Sequence, residues 1–353
     1  MKKTFSLLWP YLRMLLSVLL LWLAVRHIDW QTLSRTQITI QPLWLVLAWV
    51  TMNCANLMAT GRWGYLMRSL GLRQSRWTYV SLYYAGGLIN QGLPSTIGGD
   101  SYRAIEGSRA TAGGPGACAG LPGLSEELHQ PVDLHQAPPR LRLGFLAVTL
   151  DRVLGLLGNN IVGALGLILG GAMIGPWAQA LGGWTLAAML GAAALACILL
   201  SVQRSATLLS KILLRLGMPS ALSGLRMAFG GPMVVPQLVL SATTHMMSML
   251  TFWCCLKAFG TTAPLQALMI GLPALGLLMM LPISISGWGL REATLSAALT
   301  LWGVDAAVTV LASVCFGLVT VITYLPGAFS LLRRRNTVDP HAAPSVPSRS
   351  ITP

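Results

Sequence analysis

Three arginines lie within or beside apolar stretches of this chain, each with a carboxylate close by in sequence. Arg103 follows Asp100 by one helical turn, Arg152 adjoins Asp151, and Arg291 adjoins Glu292. An arginine inside a bilayer costs at least about 2.5 kcal/mol on insertion scales, so each must meet an anion or water. A guanidinium fork offers a phosphodiester two parallel charge-assisted hydrogen bonds, which a lone ammonium does not. The pattern therefore points to an anionic headgroup, of a phospholipid or a polyprenyl phosphate. Asp100, Asp151 and Glu292 would orient the arginines or carry a coupled proton. Asn90, Gln91, Ser284 and Ser286 supply neutral hydrogen-bonding groups beside the same segments, and Asn159 and Asn160 follow Arg152 by about two turns. The N–H groups at the half-helix starts after Gly99 and Gly287 add partial positive charge. For any one pair taken alone, the bland reading is that acid and arginine only neutralise each other and lock helix packing.

Repetition argues for more than packing. The stretch LPSTIGGDSYRA (Leu93 to Ala104) is echoed by LPISISGWGLRE (Leu281 to Glu292), with Pro94 matching Pro282, Gly99 matching Gly287 and Arg103 matching Arg291. Each copy ends an apolar run at a helix breaker, continues with flexible backbone and delivers one cation. Duplicated membrane transporters build mid-bilayer sites this way, because irregular backbone at that depth is tolerated only where it is buried in protein or lines a cavity.

The elements that must position these residues follow from the apolar runs. Hydrophobic residues make up 54% of the 353 and charged residues 10%, too oily for one soluble core to bury. With about 20 apolar residues per crossing, the full spans are Tyr11 to Val25, Leu43 to Thr60, Leu143 to Ile174, Leu181 to Val202, Val234 to Phe259 and Ala306 to Leu332. The Leu143 run exceeds one upright span, so it tilts or begins as a half-buried helix around Asp151 and Arg152. Two shorter runs, Thr78 to Leu93 and Pro264 to Leu281, stop at the motif prolines. Lys2 and Lys3, the Arg62–Arg68–Arg73–Arg76 link, the Arg204–Lys211–Arg215–Arg226 link and the Arg333 to Arg335 triplet belong on the cytoplasmic side, which places both termini there. Alternation then works only if both proline-broken segments are re-entrant, one dipping in from each side. Trp30, Trp44, Trp63, Trp77, Trp177 and Trp302 fall near predicted span ends as interfacial anchors. The expected fold is all-α: a polytopic membrane protein with about six full spans plus two re-entrant broken helices, compatible with an inverted repeat. The transmembrane domain covers residues 1–335, with a disordered insertion at about 111–139, and 336–353 form a disordered tail.

Several classes are excluded. The formal charge of +14 sits in short links beside apolar spans rather than on a continuous stripe, so no nucleic-acid partner is implied. The six cysteines have no metal spacing and read as small apolar packing residues, and His245, the one histidine in a predicted span, reads as a helix–helix hydrogen bonder. There is no G-x-S-x-G elbow, H-E-x-x-H pair or Walker loop, so no catalytic residue, metal or cofactor is expected.

LPISISGWGLREA (Leu281 to Ala293), GGDSYR (Gly98 to Arg103) and TLDRVLGLLG (Thr149 to Gly158) resemble the signature segments of the lysylphosphatidylglycerol synthase transmembrane-region family, also called flippase-like, over most of residues 10–332. The resemblance implies a membrane domain that moves phospholipids between leaflets. In some relatives it is fused to a cytosolic aminoacyl-transfer domain, for which this chain has no room, so lysyl transfer is not carried over. The insertion at Thr111 to Pro139 interrupts a connection that is usually shorter. The expectation is a lipid translocator of the bacterial inner membrane whose partners are anionic membrane lipids. The alternative is a membrane-embedded partner or subunit of a lipid-modifying glycosyl or acyl transferase.

Overall fold

The structure, a computed structural model, describes residues 40–92, 97–109, 139–201, 203–216, 218, 221–229, 234–280 and 286–336, with positions 19 and 22. The expected first span, the breaker prolines Pro94 and Pro282, Ser284, residues 111–138 of the insertion and the tail after Asn336 lie outside the described residues. The described regular structure is helical throughout: α1 (Pro42–Ser69), α2 (Arg76–Gly92), α3 (Ile97–Arg109), α4 (Pro139–Gly170), a 3-10 turn (Gly171–Met173), α5 (Pro176–Ser201), α6 (Gln203–Arg215), α7 (Ala221–Phe229), α8 (Val234–Ala258), α9 (Leu265–Leu278), α10 (Leu290–Thr300), α11 (Ala306–Tyr324) and α12 (Pro326–Asn336). Four stretches are long and apolar enough to cross a membrane: Pro42–Ser69, Arg140–Met173, Val234–Ala258 and Ala306–Leu332. The expected Leu181 to Val202 span falls on α5. Outward-facing Leu43, Val46, Val50, Leu181, Val239, Leu318 and Ile322 are exposed, the surface of a protein solvated by lipid.

Helix starts follow local chemistry. Pro42 occupies the first turn of α1, where its missing N–H is not needed, and Asp305 caps α11 by accepting the Val308 N–H at 3.0 Å. Two expectations change. The helix of the second span runs on to Ser69, so Arg62 and Arg68 belong to α1 rather than to a link. The Leu143 segment is one unbroken helix from Pro139, with Asp151 and Arg152 in its middle.

The two expected re-entrant segments are antiparallel helical hairpins. In the first, α2 folds back on α3, with Gln74 Nε2 at 2.5 Å from Gly107 O at its mouth and Asn90 against Gly99 at its tip. In the second, α9 folds back on α10, and Gly271 meets Leu295 and Ala298. The hairpins enter from opposite ends. The mouth of the first lies with the end of α1 and the start of α4, where Arg142 Nη1 donates to Leu216 O at 2.6 Å and Tyr65 donates to Met227 O at 3.0 Å. The mouth of the second lies where Gly170 packs on Gln266 and Trp302 and where Gln41 N–H donates to Ala258 O. Their tips meet, with Ser286 Oγ bonded to Gln91 Oε1 at 2.8 Å.

Exchanging α1–α4 for α8–α11 maps the helix neighbours onto one another. The α1–α8 pair maps onto itself, α4 on α9 becomes α11 on α2, α3 on α4 becomes α10 on α11, and α4 on α8 becomes α11 on α1. That is the neighbour pattern of an inverted repeat, with α1 and α8 antiparallel across Thr51–Thr251 and Arg62–Ser241. Close approach of α4 to the second half relies on small residues: a Cβ at Gly158 would sit 2.5 Å from the Ser241 backbone, and one at Gly166 2.7 Å from Met269.

Candidate functional site

Arg62, Asp151, Arg103, Asp100 and Arg152 form one continuous chain of ion pairs drawn from α1, α4 and α3. Arg62 Nε and Nη2 both lie 2.8 Å from Asp151 Oδ1, and Nη1 donates to Ser241 Oγ of α8 at 2.9 Å. Arg103 bridges the acids, reaching Asp151 Oδ2 at 3.3 Å and Asp100 Oδ1 at 2.7 Å. Arg152 grips Asp100 with both arms, Nε to Oδ2 at 2.6 Å and Nη2 to Oδ1 at 2.7 Å. The rings of Tyr83 and Trp63 lie against the Arg103 guanidinium at 4.7 and 5.2 Å. Three guanidinium groups thus face two carboxylates, leaving one positive charge in excess. Four of the five side chains are 16% exposed or less; Arg152 is 49% exposed, and among the described residues its Nε and Nη2, but not its Nη1, are hydrogen-bonded.

Arg103 and Asp100 sit on α3 because the hairpin lets α3 approach α2 closely. A Cβ on Gly99 would collide with Gly86 O and stand 2.5 Å from Asn90 Oδ1. Asn90 accepts the Gly99 N–H at 2.8 Å, so that helix-start donor is satisfied internally and is not offered to a ligand as expected. The chain lies about 10 to 20 Å along the helices from the first hairpin's mouth, and the hairpin tip lies beyond it.

The matching segment of the second half is closed. Glu292, fully buried, accepts from Arg291 Nη2 at 2.8 Å, Arg291 Nε at 3.0 Å and Ser313 Oγ at 2.9 Å on one oxygen, and from the Gly289 N–H at 2.6 Å on the other. Trp288 and Phe316 flank the Arg291 guanidinium at 4.7 and 5.7 Å. This one-to-one pair is neutral and holds the turn at Ser286, Gly287 and Gly289, whose φ values of 52°, 79° and 80° favour glycine at the last two positions. Here too the half-helix N–H that was expected to face an anion is capped, by Glu292.

The structure therefore joins Arg103, Arg152, Asp100 and Asp151 in one network, and places Arg291 and Glu292 in a separate clamp. It re-pairs them as well. Asp151 bonds to Arg62 and Arg103, not to its neighbour Arg152, because residues adjacent on a helix point about 100° apart. Ser284 lies outside the described residues. Asn159 donates to Pro273 O at 3.0 Å, pinning α4 to α9, and Asn160 bonds its own helix at Leu156 O. His245 bonds to Gly155 O at 2.8 Å, a helix–helix contact as expected. Trp63 is fully buried on Arg103 rather than interfacial. Sequence reasoning missed Arg62. The available signal was its place on the stripe Ala55, Ala59, Arg62, Leu66, all buried. Among the described residues no group of His, Cys, Asp and Glu side chains is arranged to hold a metal.

Inverted hairpins meeting tip to tip inside long apolar helices define an integral membrane protein of the repeat-built kind. The model of the family described as "Lysylphosphatidylglycerol synthase TM region" matches residues 11–327, and the chain belongs to that lipid-handling family. Comparisons with curated proteins and with solved structures return no significant match.

Proposed function

We propose that this protein is a transporter rather than an enzyme, and that it carries a lipid with an anionic headgroup across a bacterial inner membrane. The observation that carries this reading is the excess positive charge of the Arg62–Asp151–Arg103–Asp100–Arg152 chain, open at Arg152 midway along a spanning helix. A guanidinium at such depth is stabilised by an anion that arrives with its own apolar anchor, which is what a lipid headgroup is. Arg68, Arg73, Arg76, Arg109, Arg140, Arg142, Lys211, Arg215 and Arg226 gather at the mouth of the first hairpin, so that end is the cytoplasmic one by the positive-inside bias, and the α12 end of the chain lies with it. The headgroup enters beside α3 and α4, binds the Arg152 guanidinium while Asp100 stays paired, and leaves past the hairpin tips when the Gln91–Ser286 contact parts.

Purified protein in vesicles doped with fluorescent phosphatidylglycerol tests this by dithionite quenching of the outer leaflet. Translocation should exceed that of protein-free vesicles, and Arg152→Gln should slow it by about tenfold or more, the effect of losing one charge-assisted contact. Equal rates with and without protein overturn the proposal.

A further inference from the structure

The same chain of ion pairs selects its ligand by counting charge. Both Asp151 oxygens are taken, Oδ1 by Arg62 and Oδ2 by Arg103. Both Asp100 oxygens are taken as well, Oδ1 by Arg103 and Arg152 and Oδ2 by Arg152. No carboxylate in the chain is left for an incoming ammonium. The positive side is equally constrained. One charge is in excess, and the nearest equivalent of a fourth cation in the repeat, Arg291, is neutralised by Glu292 inside its own clamp. In a low-dielectric site an uncompensated unit charge is strongly unfavourable in either direction.

We propose that the site admits phosphodiester headgroups carrying a single net negative charge, and disfavours both zwitterionic lipids and phosphomonoester lipids, polyprenyl monophosphates included. This rests on the transport reading above and narrows it. A phosphodiester monoanion brings the five side chains and ligand to zero net charge, with its two free oxygens matched to the open edge of Arg152. A phosphomonoester, at about −1.5 to −2 near neutral pH, leaves a negative charge buried. A zwitterion brings its phosphate but strands its ammonium. The ligand is a lipid and not a soluble phosphodiester, because Arg152 lies midway along a helix long and apolar enough to cross a membrane.

The test is the same vesicle assay run with three acyl-labelled lipids in one neutral host: phosphatidylglycerol, phosphatidylcholine and phosphatidic acid. The wild-type protein should move phosphatidylglycerol about tenfold faster than either of the others. Asp100→Asn raises the excess to two charges and should reverse the order of phosphatidic acid and phosphatidylglycerol. Arg152→Gln removes the excess and should bring phosphatidylglycerol down to the phosphatidylcholine rate. Because the readout is a ratio within one protein preparation, a variant that folds less well still reports. A large excess of glycerophosphoglycerol should leave the rates unchanged, and full inhibition by it overturns the lipid assignment. Measurable transport that is equal for the three lipids, or an unchanged order in Asp100→Asn, overturns the charge-counting proposal while leaving the transport reading standing. No transport of any lipid overturns both.

Discussion

A buried ion pair is a poor source of net stability but a severe liability when half of it is removed, since the remaining charge has no water to turn to. That asymmetry divides the arginines here into two kinds. Arg62 and Arg103 are 5% exposed at their side chains and hold Asp151 between them, whereas Arg152 is half exposed. Arg62→Leu leaves Asp151 with the single 3.3 Å contact to Arg103, and should lower stability by about 3 to 5 kcal/mol in a detergent unfolding assay. Arg152→Gln should lower it by about 1 kcal/mol or less, because Arg152 is half exposed and Asp100 keeps its contact with Arg103, while still impairing transport. A large loss from Arg152→Gln together with a negligible one from Arg62→Leu would contradict this division. That Arg103, Arg152 and Arg291 carry charge at depth was legible in the sequence; that Arg62 joins them, and which acid meets which arginine, was not. Sequence neighbours such as Asp151 and Arg152 point to different helix faces, and the true partners come from helices that only the fold brings together.

At the scale of elements, the first hairpin is a crossing set by glycine. At Gly99 an added Cβ would run into the Gly86 carbonyl and Asn90, and backbone cannot yield as a long side chain can. Gly99→Ala should therefore push α3 off α2, with a loss of about 1 to 3 kcal/mol typical of overpacking, and should displace Asp100 and Arg103 on the same helix. At Gly92 the added Cβ meets nothing within 4 Å among the described residues, so Gly92→Ala should be neutral or slightly stabilising. Comparison of the two melting temperatures checks the claim, and equal destabilisation by both would refute it. Both hairpins were readable from apolar runs that stop at proline with glycine beyond. The extension of α1 to Ser69 was not, because Arg62 and Arg68 look like a loop to any count of hydrophobic residues. Only the helical stripe that contains Arg62 shows it turned inward.

For the whole molecule, the exchange of α1–α4 with α8–α11 preserves the helix neighbours but not the chemistry. In one half the ion-pair chain holds three guanidinium groups against two carboxylates; in the other the clamp holds one against one. The repeated Pro, Gly and Arg positions made the duplicated frame visible in the sequence. The asymmetry was hidden, because it depends on Arg62 joining from α1 and on Glu292 being fully enclosed by the turn it caps. On the transport reading proposed above, one half binds and the other braces, and the hairpin tips between them form the barrier beyond the site. On that reading, passage of a headgroup requires the Gln91–Ser286 contact to open. In a variant without the native cysteines, carrying Gln91→Cys and Ser286→Cys, a short bis-methanethiosulfonate linker should join the tips. Translocation of phosphatidylglycerol should then stop, and should resume when reductant cleaves the linker. Undiminished translocation through quantitatively linked protein would contradict a path between the hairpins.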